Sequence, residues 1–361
     1  MMYTVVLVII LVLVAVIVLP PQLTFIYWYW KGVDTVSPLS LLGYLAKIVF
    51  KKEPLFISLQ HFYNTMKKNG KKFGGYYFLM RPSFVPTDLD LIKKILISDF
   101  DHFTDHIGHL NAENDPLSLN TFNLKGSRWQ GIRSKLLFSF TSAKNKTMFE
   151  TAIKYGEDFK QLMKKYVDSN ESLYIKEVSE QYTTDTIVSY GFGIESNALQ
   201  SGNSEFIKLL SEVVVSFRTM LVMFFPELFS LFRMRTYGNN VTNLFIDLVE
   251  GTAKYRKQND IIREDFIHHL LQNSSKHTIT NSEMKEVKSR KDIGLSLNEM
   301  VGQCFAFYSA GYETSAAAIS FTLIELALNQ EIQNKLREEI KIILENHNGR
   351  LHTTQLRRWS T

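Results

Sequence analysis

Ala310-Gly311-Tyr312-Glu313-Thr314 lies within a helical pattern that runs from about residue 296 to residue 328. This pattern is longer than most helices of globular proteins. It is also apolar over most of its circumference, which is typical of a helix buried through the middle of a large domain. The sequence therefore predicts that this helix is a central element of the domain.

The same segment suits the handling of oxygen and protons beside a buried cofactor. Ala310 and Gly311 carry little side-chain bulk, so a flat ligand has room to approach the backbone. Thr314 is expected to donate a hydrogen bond to the carbonyl of Ala310, four residues earlier. Glu313 places a carboxylate where it needs either a partner or a task. The alternative is a glycine required for helix packing beside an ordinary Ser/Thr-rich turn.

The rest of the chain is mostly helical in pattern. Short aromatic or β-branched runs at 76–80 and 83–85 predict one pair of strands. Apolar residues at helical spacing predict helices over 54–69, 88–97, 127–138, 142–167, 177–190, 204–222, 240–258, 262–272, 296–328 and 330–346. The predicted fold class is therefore mainly α with a minor β-sheet.

Residues 1–30 contain no charged side chain, and residues 5–19 are continuously apolar. A segment of about 20 residues is just long enough to cross roughly 30 Å of hydrocarbon as a helix. The aromatic residues after Pro20 suit the headgroup region, and the positive charge of Lys31 favours a cytosolic domain after it. We therefore predict a membrane anchor and aromatic belt over 1–30 and a domain over 31–361. A cleaved signal peptide is the alternative, although a basic start and a cleavage site are not evident.

Composition excludes several classes of protein. The chain of 361 residues is 45% hydrophobic, which is enough to bury a large core. Its net charge of +5 is dispersed, so no nucleic-acid partner is predicted. Cys304 is the only cysteine, which excludes a disulfide within the chain and a zinc site built from several cysteines.

Trp129 and Arg133 are four residues apart and share one face of the helix predicted to begin near Ser127. An indole N–H and a guanidinium that project together form a good clamp for a carboxylate. The alternative is a tryptophan packed in the core beside a surface arginine.

Taken together, these segments resemble a known family. Trp129-x-x-x-Arg133, followed at a distance by Ala310-Gly-x-Glu-Thr314, is similar to the cytochrome P-450 haem-thiolate monooxygenases. Further segments resemble the insect microsomal group that oxidises xenobiotics, namely 115–118, 124–126, 133–144 and 309–340. The resemblance extends from the N-terminal anchor to about Gly349 and implies the cytochrome P-450 fold.

The resemblance implies haem as the cofactor. Trp129 and Arg133 would then hold a haem propionate, while Ala310 and Gly311 would face the distal side of the ring. The haem would supply the difficult chemistry, and the protein would supply orientation, proton delivery and the axial ligand.

It also implies the reaction and the partners. Thr314, assisted by Glu313, would relay protons during oxygen activation, and such relays contribute roughly 10²–10⁴-fold to a rate. One oxygen atom would enter a lipophilic small-molecule substrate, with electrons from an NADPH-dependent reductase. The implied location is the endoplasmic reticulum membrane, with the domain facing the cytosol.

The sequence departs from the family pattern on the proximal side. The family's axial cysteine lies in a Phe-x-x-Gly-x-Arg-x-Cys loop after a helix with Glu-x-x-Arg, and neither motif is present in the 361 residues. Cys304 lies inside the long helical pattern, where an inert core cysteine is the expected role rather than a metal ligand. Residues 351–361 also leave the family pattern.

These departures predict a C-terminally truncated family domain that is inactive as given, because no thiolate ligates the iron. One alternative is a non-catalytic membrane protein that acts as a decoy or interaction partner. Another is that the sequence is a piece of a longer, ordinary enzyme.

Three further features carry open alternatives. One set of basic residues either forms a face that binds the reductase or belongs to ordinary solvated helix ends. The set consists of Lys67, Lys68, Lys71, Lys72, Arg128 and Lys135. The aromatic segment 220–232 either dips into the bilayer or packs in the core. His102, His106 and His109 have metal-like spacing, but their loop setting and the lack of an acidic or cysteine partner predict no metal site.

Overall fold

The computed structural model describes residues 27–35, 54–78, 81–106, 108–202, 204–208, 217–274 and 294–347. These residues form two compact units, one up to Thr104 and the other from Asp105 onward. Most of the predicted anchor precedes residue 27 and so lies outside the described part of the chain. Among the helices of the described ranges, none combines the length and hydropathy that crossing a bilayer requires.

The first unit is built around one helix and one hairpin. Helix α1 (Leu55–Lys68) precedes strands β1 (Phe73–Phe78) and β2 (Arg81–Pro86), which pair antiparallel with Tyr76 opposite Ser83. This confirms the predicted strand pair. The hairpin leads into α2 (Leu89–Lys93) and then short π and 3₁₀ segments at Lys94–Ser98 and Phe100–His102.

The core of this unit includes Trp28, which was predicted to belong to a headgroup belt. The Trp28 side chain is buried against Tyr76, Tyr77 and Phe62, and its Nε1 donates to the carbonyl of Tyr76 at 3.0 Å. Trp28 packs within the protein because the hairpin offers both an apolar surface and a carbonyl partner for the indole, and the aromatic belt over 1–30 stays a prediction. Trp30, two residues later, is exposed.

The second unit is almost entirely helical, as predicted. Its α-helices within the described ranges are α3 (Gly126–Leu136), α4 (Ser142–Ser169), α5 (Ile175–Phe192), α6 (Ala198–Ser201), α7 (Phe217–Phe224), α8 (Pro226–Leu231), α9 (Asn239–Gln258), α10 (Phe266–Gln272), α11 (Leu297–Leu328) and α12 (Gln330–Glu345). Short 3₁₀ turns at Pro116–Ser118 and Leu137–Phe140 flank α3.

Helix α11 is the central element of this unit, and α5 packs along it. Close approach requires glycine at two points of α11. A Cβ at Gly302 would lie 2.6 Å from the carbonyl oxygen of Leu119, and a Cβ at Gly311 would lie 2.5 Å from Cδ1 of Ile187 on α5. The predicted burial of α11 is only half correct. Its first half is buried, but Phe321 and Leu328 in its second half are 68% and 74% exposed.

Candidate functional site

The N-terminus of α11 is fixed by a capping box. Ser296 Oγ accepts from the backbone N–H of Glu299, and the Glu299 carboxylate accepts from the backbone N–H of Ser296. Arg128 on α3 donates from Nε to Glu299 Oε1 at 2.5 Å and forms a second bond to Oε2. Both side chains are buried, so one ion pair connects α3 to the start of the long helix.

This ion pair corrects the predicted basic face for a reductase. Arg128 is 7% exposed and is held by Glu299, so its charge is not available at the surface. Local sequence patterns could not predict this ion pair, because Arg128 and Glu299 are 171 positions apart. A glutamate three residues after a serine predicts a capping box, but not the additional partner.

Trp129 and Arg133 do share one face of α3. The Trp129 ring is buried, and the Arg133 guanidinium lies over it with its carbon 5.3 Å from the ring centroid. His106 contacts the same ring edge-on at 5.2 Å. Arg133 itself is exposed and forms no ion pair with any residue in the described ranges. Its five N–H donors are therefore available for a carboxylate ligand.

The oxygen-handling segment lies just beyond the buried half of α11. Thr314 Oγ1 donates to the carbonyl of Ala310 at 2.5 Å, which confirms the predicted backbone bond. Ala310 and Thr314 are exposed. Gly311 serves the close contact with α5, and contact of Ala310 or Gly311 with a ring stays a prediction.

Glu313 forms an ion pair that local sequence patterns did not predict. Lys176, in the first turn of α5, places Nζ 3.4 Å from Glu313 and 3.3 Å from Glu180. The hydrogen bond that Lys176 donates to Glu180 and the charges of Glu180 and Glu313 raise the pKa of Lys176. Tyr312 lies beside this cluster, and burial followed by the charge of Glu180 raises its pKa as well. Two carboxylates and one ammonium thus meet next to the motif.

A cavity of about 380 Å³ lies against α11 immediately before the motif. Its walls include residues of α11, of the loop before α3, of α7 and of the segment before α9, namely Phe305, Ala306, Ser309, Tyr312, Glu313, Asn120, Phe122, Asn123, Thr219 and Tyr237. Most of this surface is apolar or aromatic. A volume of this size and lining is suited to a small lipophilic ligand.

Gln303 positions the loop that forms one wall of this cavity. Its Nε2 donates to the carbonyl of Leu119 at 2.7 Å, and its Oε1 accepts from the N–H of Thr121 at 3.2 Å. Gln303 is buried in the middle of the helix. An amide inside an apolar helical pattern was the available signal, because buried amides require partners.

Cys304 is completely enclosed within α11. Burial raises the pKa of its thiol, which opposes formation of a thiolate. A metal ligand needs the thiolate, so this environment does not suit axial ligation.

The three histidines singled out by their spacing have separate settings. His106 contacts the Trp129 ring, whereas His109 lies 3.3 Å from the carbonyl of Met234 and edge-on to Phe229. His102 lies in the first unit. Within the described ranges, no cluster of three or more His, Cys, Asp or Glu side chains could hold a metal ion.

The structure is mainly helical and carries these two motifs on α3 and α11, as the resemblance to the cytochrome P-450 family implied. Sequence comparison gives the same result, because the family model described as Cytochrome P450 matches residues 37–358. The chain belongs to the cytochrome P450 family.

Among curated relatives, the chain is similar to three proteins of Drosophila melanogaster. Cytochrome P450 6a2 is 37% identical over 338 residues, which cover 91% of this chain and 65% of that protein. Probable cytochrome P450 6a23 is 33% identical, with 90% and 64% covered. Probable cytochrome P450 6a20 is 31% identical, with 92% and 66% covered. The chain thus spans somewhat less than two thirds of their length.

The family implies a haem cofactor, and the described residues fit part of it. The Arg133 guanidinium above the Trp129 ring suits a propionate. The cavity beside the motif suits the substrate side of the ring. The buried thiol of Cys304 does not fit as the axial ligand.

Proposed function

We propose that this chain provides the substrate and oxygen side of a cytochrome P450 monooxygenase. The observation that carries the proposal is the cavity beside Glu313, because Glu313 and Thr314 both belong to α11. The Arg128–Glu299 ion pair connects α11 to α3, the helix that carries Arg133. The reaction class is insertion of one oxygen atom into a lipophilic small molecule, as in the xenobiotic-oxidising type.

Haem, when bound, supplies the oxygen chemistry. Arg133 would hold a propionate of the haem, because its guanidinium offers N–H donors to a carboxylate. The apolar wall formed by Phe305 and its neighbours excludes water and orients the substrate. Thr314 Oγ1 holds a proton and can exchange its bond to the Ala310 carbonyl for a bond to a reacting group.

Glu313 supplies protons to this position in the proposed mechanism. Its carboxylate is 39% exposed, so it can exchange protons with solvent while it borders the cavity. Lys176 Nζ lies 3.4 Å from the Glu313 carboxylate and holds this side chain toward α5. Release from Lys176 is therefore the step that frees Glu313 to turn toward the reaction site.

The membrane, the location and the electron donor are also part of the proposal. The uncharged segment 1–30 supports an anchor in the endoplasmic reticulum membrane, and the family supports an NADPH-dependent reductase as partner. Microsomes that express the full chain should retain it after alkaline carbonate extraction, and deletion of residues 1–26 should release it. Release of the full chain would contradict the anchor.

For the 361-residue chain by itself we propose that no thiolate-ligated haem forms, because Cys304 is enclosed and its pKa is raised. The proposal has a non-catalytic alternative, in which the chain acts as a decoy or interaction partner. A haem titration of the purified chain tests both, with absorbance in the Soret region as the readout.

We expect haem uptake that depends on Arg133. Arg133→Ala should weaken it about 10- to 100-fold, since hydrogen bonds to charged groups contribute roughly 1.5–3 kcal/mol. Arg337→Ala on exposed α12 is the matched control and should change nothing. Equal haem uptake by the wild type and by Arg133→Ala would contradict the proposed role of Arg133 in holding a propionate. A thiolate-type band with carbon monoxide would contradict the statement about Cys304.

A further inference from the structure

The polar groups in the cavity wall differ in their capacity to bind a ligand. Asn120 is occupied within its own loop, because its Nδ2 donates to Leu117 O at 2.7 Å and its Oδ1 accepts from Phe122 N at 2.9 Å. Glu313 is paired with Lys176. Tyr237, by contrast, has a hydroxyl group whose hydrogen is available to a ligand.

The backbone of Tyr237 is fixed from the opposite side of the cavity wall. Oδ2 of the buried Asp115 accepts from the N–H of Thr236 at 2.7 Å and from the N–H of Tyr237 at 3.3 Å. The Tyr237 ring then packs edge-on against Phe305 of α11, with the ring centroids 4.7 Å apart. Backbone and ring are thus held before any ligand binds, which reduces the entropy cost of binding.

Asn123 is a neighbour of Tyr237 in the cavity wall. Its Oδ1 lies against Gly108, where any Cβ would overlap it, so this amide oxygen is directed away from the Tyr237 hydroxyl. The phenolic hydrogen of Tyr237 is donated to no residue in the described ranges and is therefore available to a ligand.

The hydroxyl also keeps its proton. Burial, together with the nearby charge of Asp115, raises the pKa of Tyr237 to about 12. At neutral pH the group is therefore a neutral donor in the wall of a cavity whose surface is mostly apolar. A buried donor without an acceptor costs free energy, so a ligand that brings an acceptor is favoured over one that does not.

We propose that Tyr237 is a specificity-determining residue, whose hydroxyl donates a hydrogen bond to an oxygen or nitrogen acceptor on a lipophilic ligand. The cavity therefore selects flat, mainly apolar molecules that carry one acceptor group over the corresponding hydrocarbons. This inference rests on the proposed function for the meaning of the cavity, but binding to the cavity is measurable without turnover.

The test uses a matched ligand pair, 9-fluorenone and fluorene, which differ mainly by one carbonyl oxygen. Affinities are measured by equilibrium dialysis on the full chain, with and without added haem. Tyr237→Phe removes only the hydroxyl, and Tyr174→Phe makes the same change at an exposed position outside the cavity. The infrared carbonyl stretch of bound fluorenone reports the hydrogen bond directly.

We expect Tyr237→Phe to weaken fluorenone about 3- to 10-fold, the range for one neutral hydrogen bond, and to leave fluorene unchanged. The carbonyl stretch should move to higher frequency in this variant and not in Tyr174→Phe. Equal effects on both ligands, an unchanged carbonyl stretch, or failure of both ligands to bind would each overturn the inference.

The outcomes separate this inference from the proposed function. Ketone selectivity that depends on Tyr237 in a chain that takes up no haem supports the inference and counts against the haem-based function. Haem uptake that depends on Arg133, without any ketone selectivity, supports the function and overturns the inference.

Discussion

Asp115 holds the segment before α9 through a buried carboxylate whose pKa is raised, mainly by burial. The N–H groups of Thr236 and Tyr237 and the charges of Arg235 and His109 offset only part of this effect. A folded-state pKa above the unfolded value of 3.8 means that the folded chain binds the proton more tightly. The stability from this group is therefore complete below about pH 3.8 and is lost as pH rises through the raised pKa.

Substitution of Asp115 should separate its charge from its hydrogen bonds. Asp115→Asn keeps an acceptor for both N–H groups, so we expect it to remove the pH-dependent loss and to match or exceed wild-type stability at pH 7. Asp115→Ala leaves two buried donors unpaired and should lower the free energy of unfolding by about 2–4 kcal/mol. Urea unfolding at pH 4 to 8 checks both, and similar losses in the two variants would contradict this account.

Gly311 should be required for packing against α5, independently of any cofactor. Alanine at 311 places a Cβ 2.5 Å from Ile187 Cδ1, and overpacking of this kind costs about 1–3 kcal/mol. In an Ile187→Ala background both clashing atoms, Cδ1 and Cγ1, are absent, so Gly311→Ala should become neutral or stabilising through helix propensity. Gly251→Ala, with nothing within 4 Å, is the control and should stabilise α9. Additive effects of the Gly311 and Ile187 changes in chemical unfolding would refute the contact.

At the scale of residues, the sequence predicted interactions within one helix better than it predicted side-chain contacts between distant parts of the chain. The Thr314 bond to Ala310 and the shared face of Trp129 and Arg133 depend only on helix geometry, so they were predictable. The partners of Glu313 and Gln303 lie more than 130 positions away in the chain. Contacts of that separation depend on how helices pack, which local spacing does not encode.

At the scale of elements, the long helix was predicted almost to the residue, because its apolar helical pattern continues without a break from about residue 296 to residue 328. The helix Pro226–Leu231 was missed, because a stretch of six residues is too short for periodicity to identify. The half-exposure of α11 was also missed. An apolar circumference shows that a helix can be buried, whereas its actual burial depends on which elements pack against it.

The Arg128–Glu299 pair should be the main electrostatic connection between α3 and α11. Glu299→Leu leaves a buried arginine uncompensated and is expected to cost about 3–5 kcal/mol. The double variant Arg128→Met with Glu299→Leu should recover most of that loss, because a buried pair can be replaced by apolar residues of similar volume. Urea unfolding of the single and double variants measures the recovery.

An exposed ion pair provides the comparison for this prediction. Lys335 and Glu331 are four residues apart on α12, and both are mostly exposed. Lys335→Met should change the free energy of unfolding by less than about 0.5 kcal/mol. A double variant of Arg128 and Glu299 no more stable than Glu299→Leu alone would show that the hydrogen-bond geometry, rather than charge compensation, stabilises this junction.

At the scale of the whole molecule, the described residues leave a continuous run of helical elements with large apolar side chains exposed. On α11 these are Phe321, Ile324 and Leu328, and on α12 they are Ile332 and Ile342. Exposed apolar side chains on consecutive helices favour association with other apolar surfaces. We therefore expect the purified 361-residue chain to bind the dye ANS in its folded state and to self-associate as its concentration rises.

The paired change Phe321→Ser with Leu328→Ser should reduce both effects, because each side chain is mostly exposed and makes little contribution to the core. The free energy of unfolding should change by about 0.5 kcal/mol or less per site, the range for surface substitutions. A matched pair of changes at buried positions, Val301→Ser with Ala306→Ser, should instead lower stability strongly. Sedimentation velocity and ANS fluorescence decide the matter: if the exposed pair unfolds the chain, these residues belong to a core, and if association is unchanged, another surface drives it.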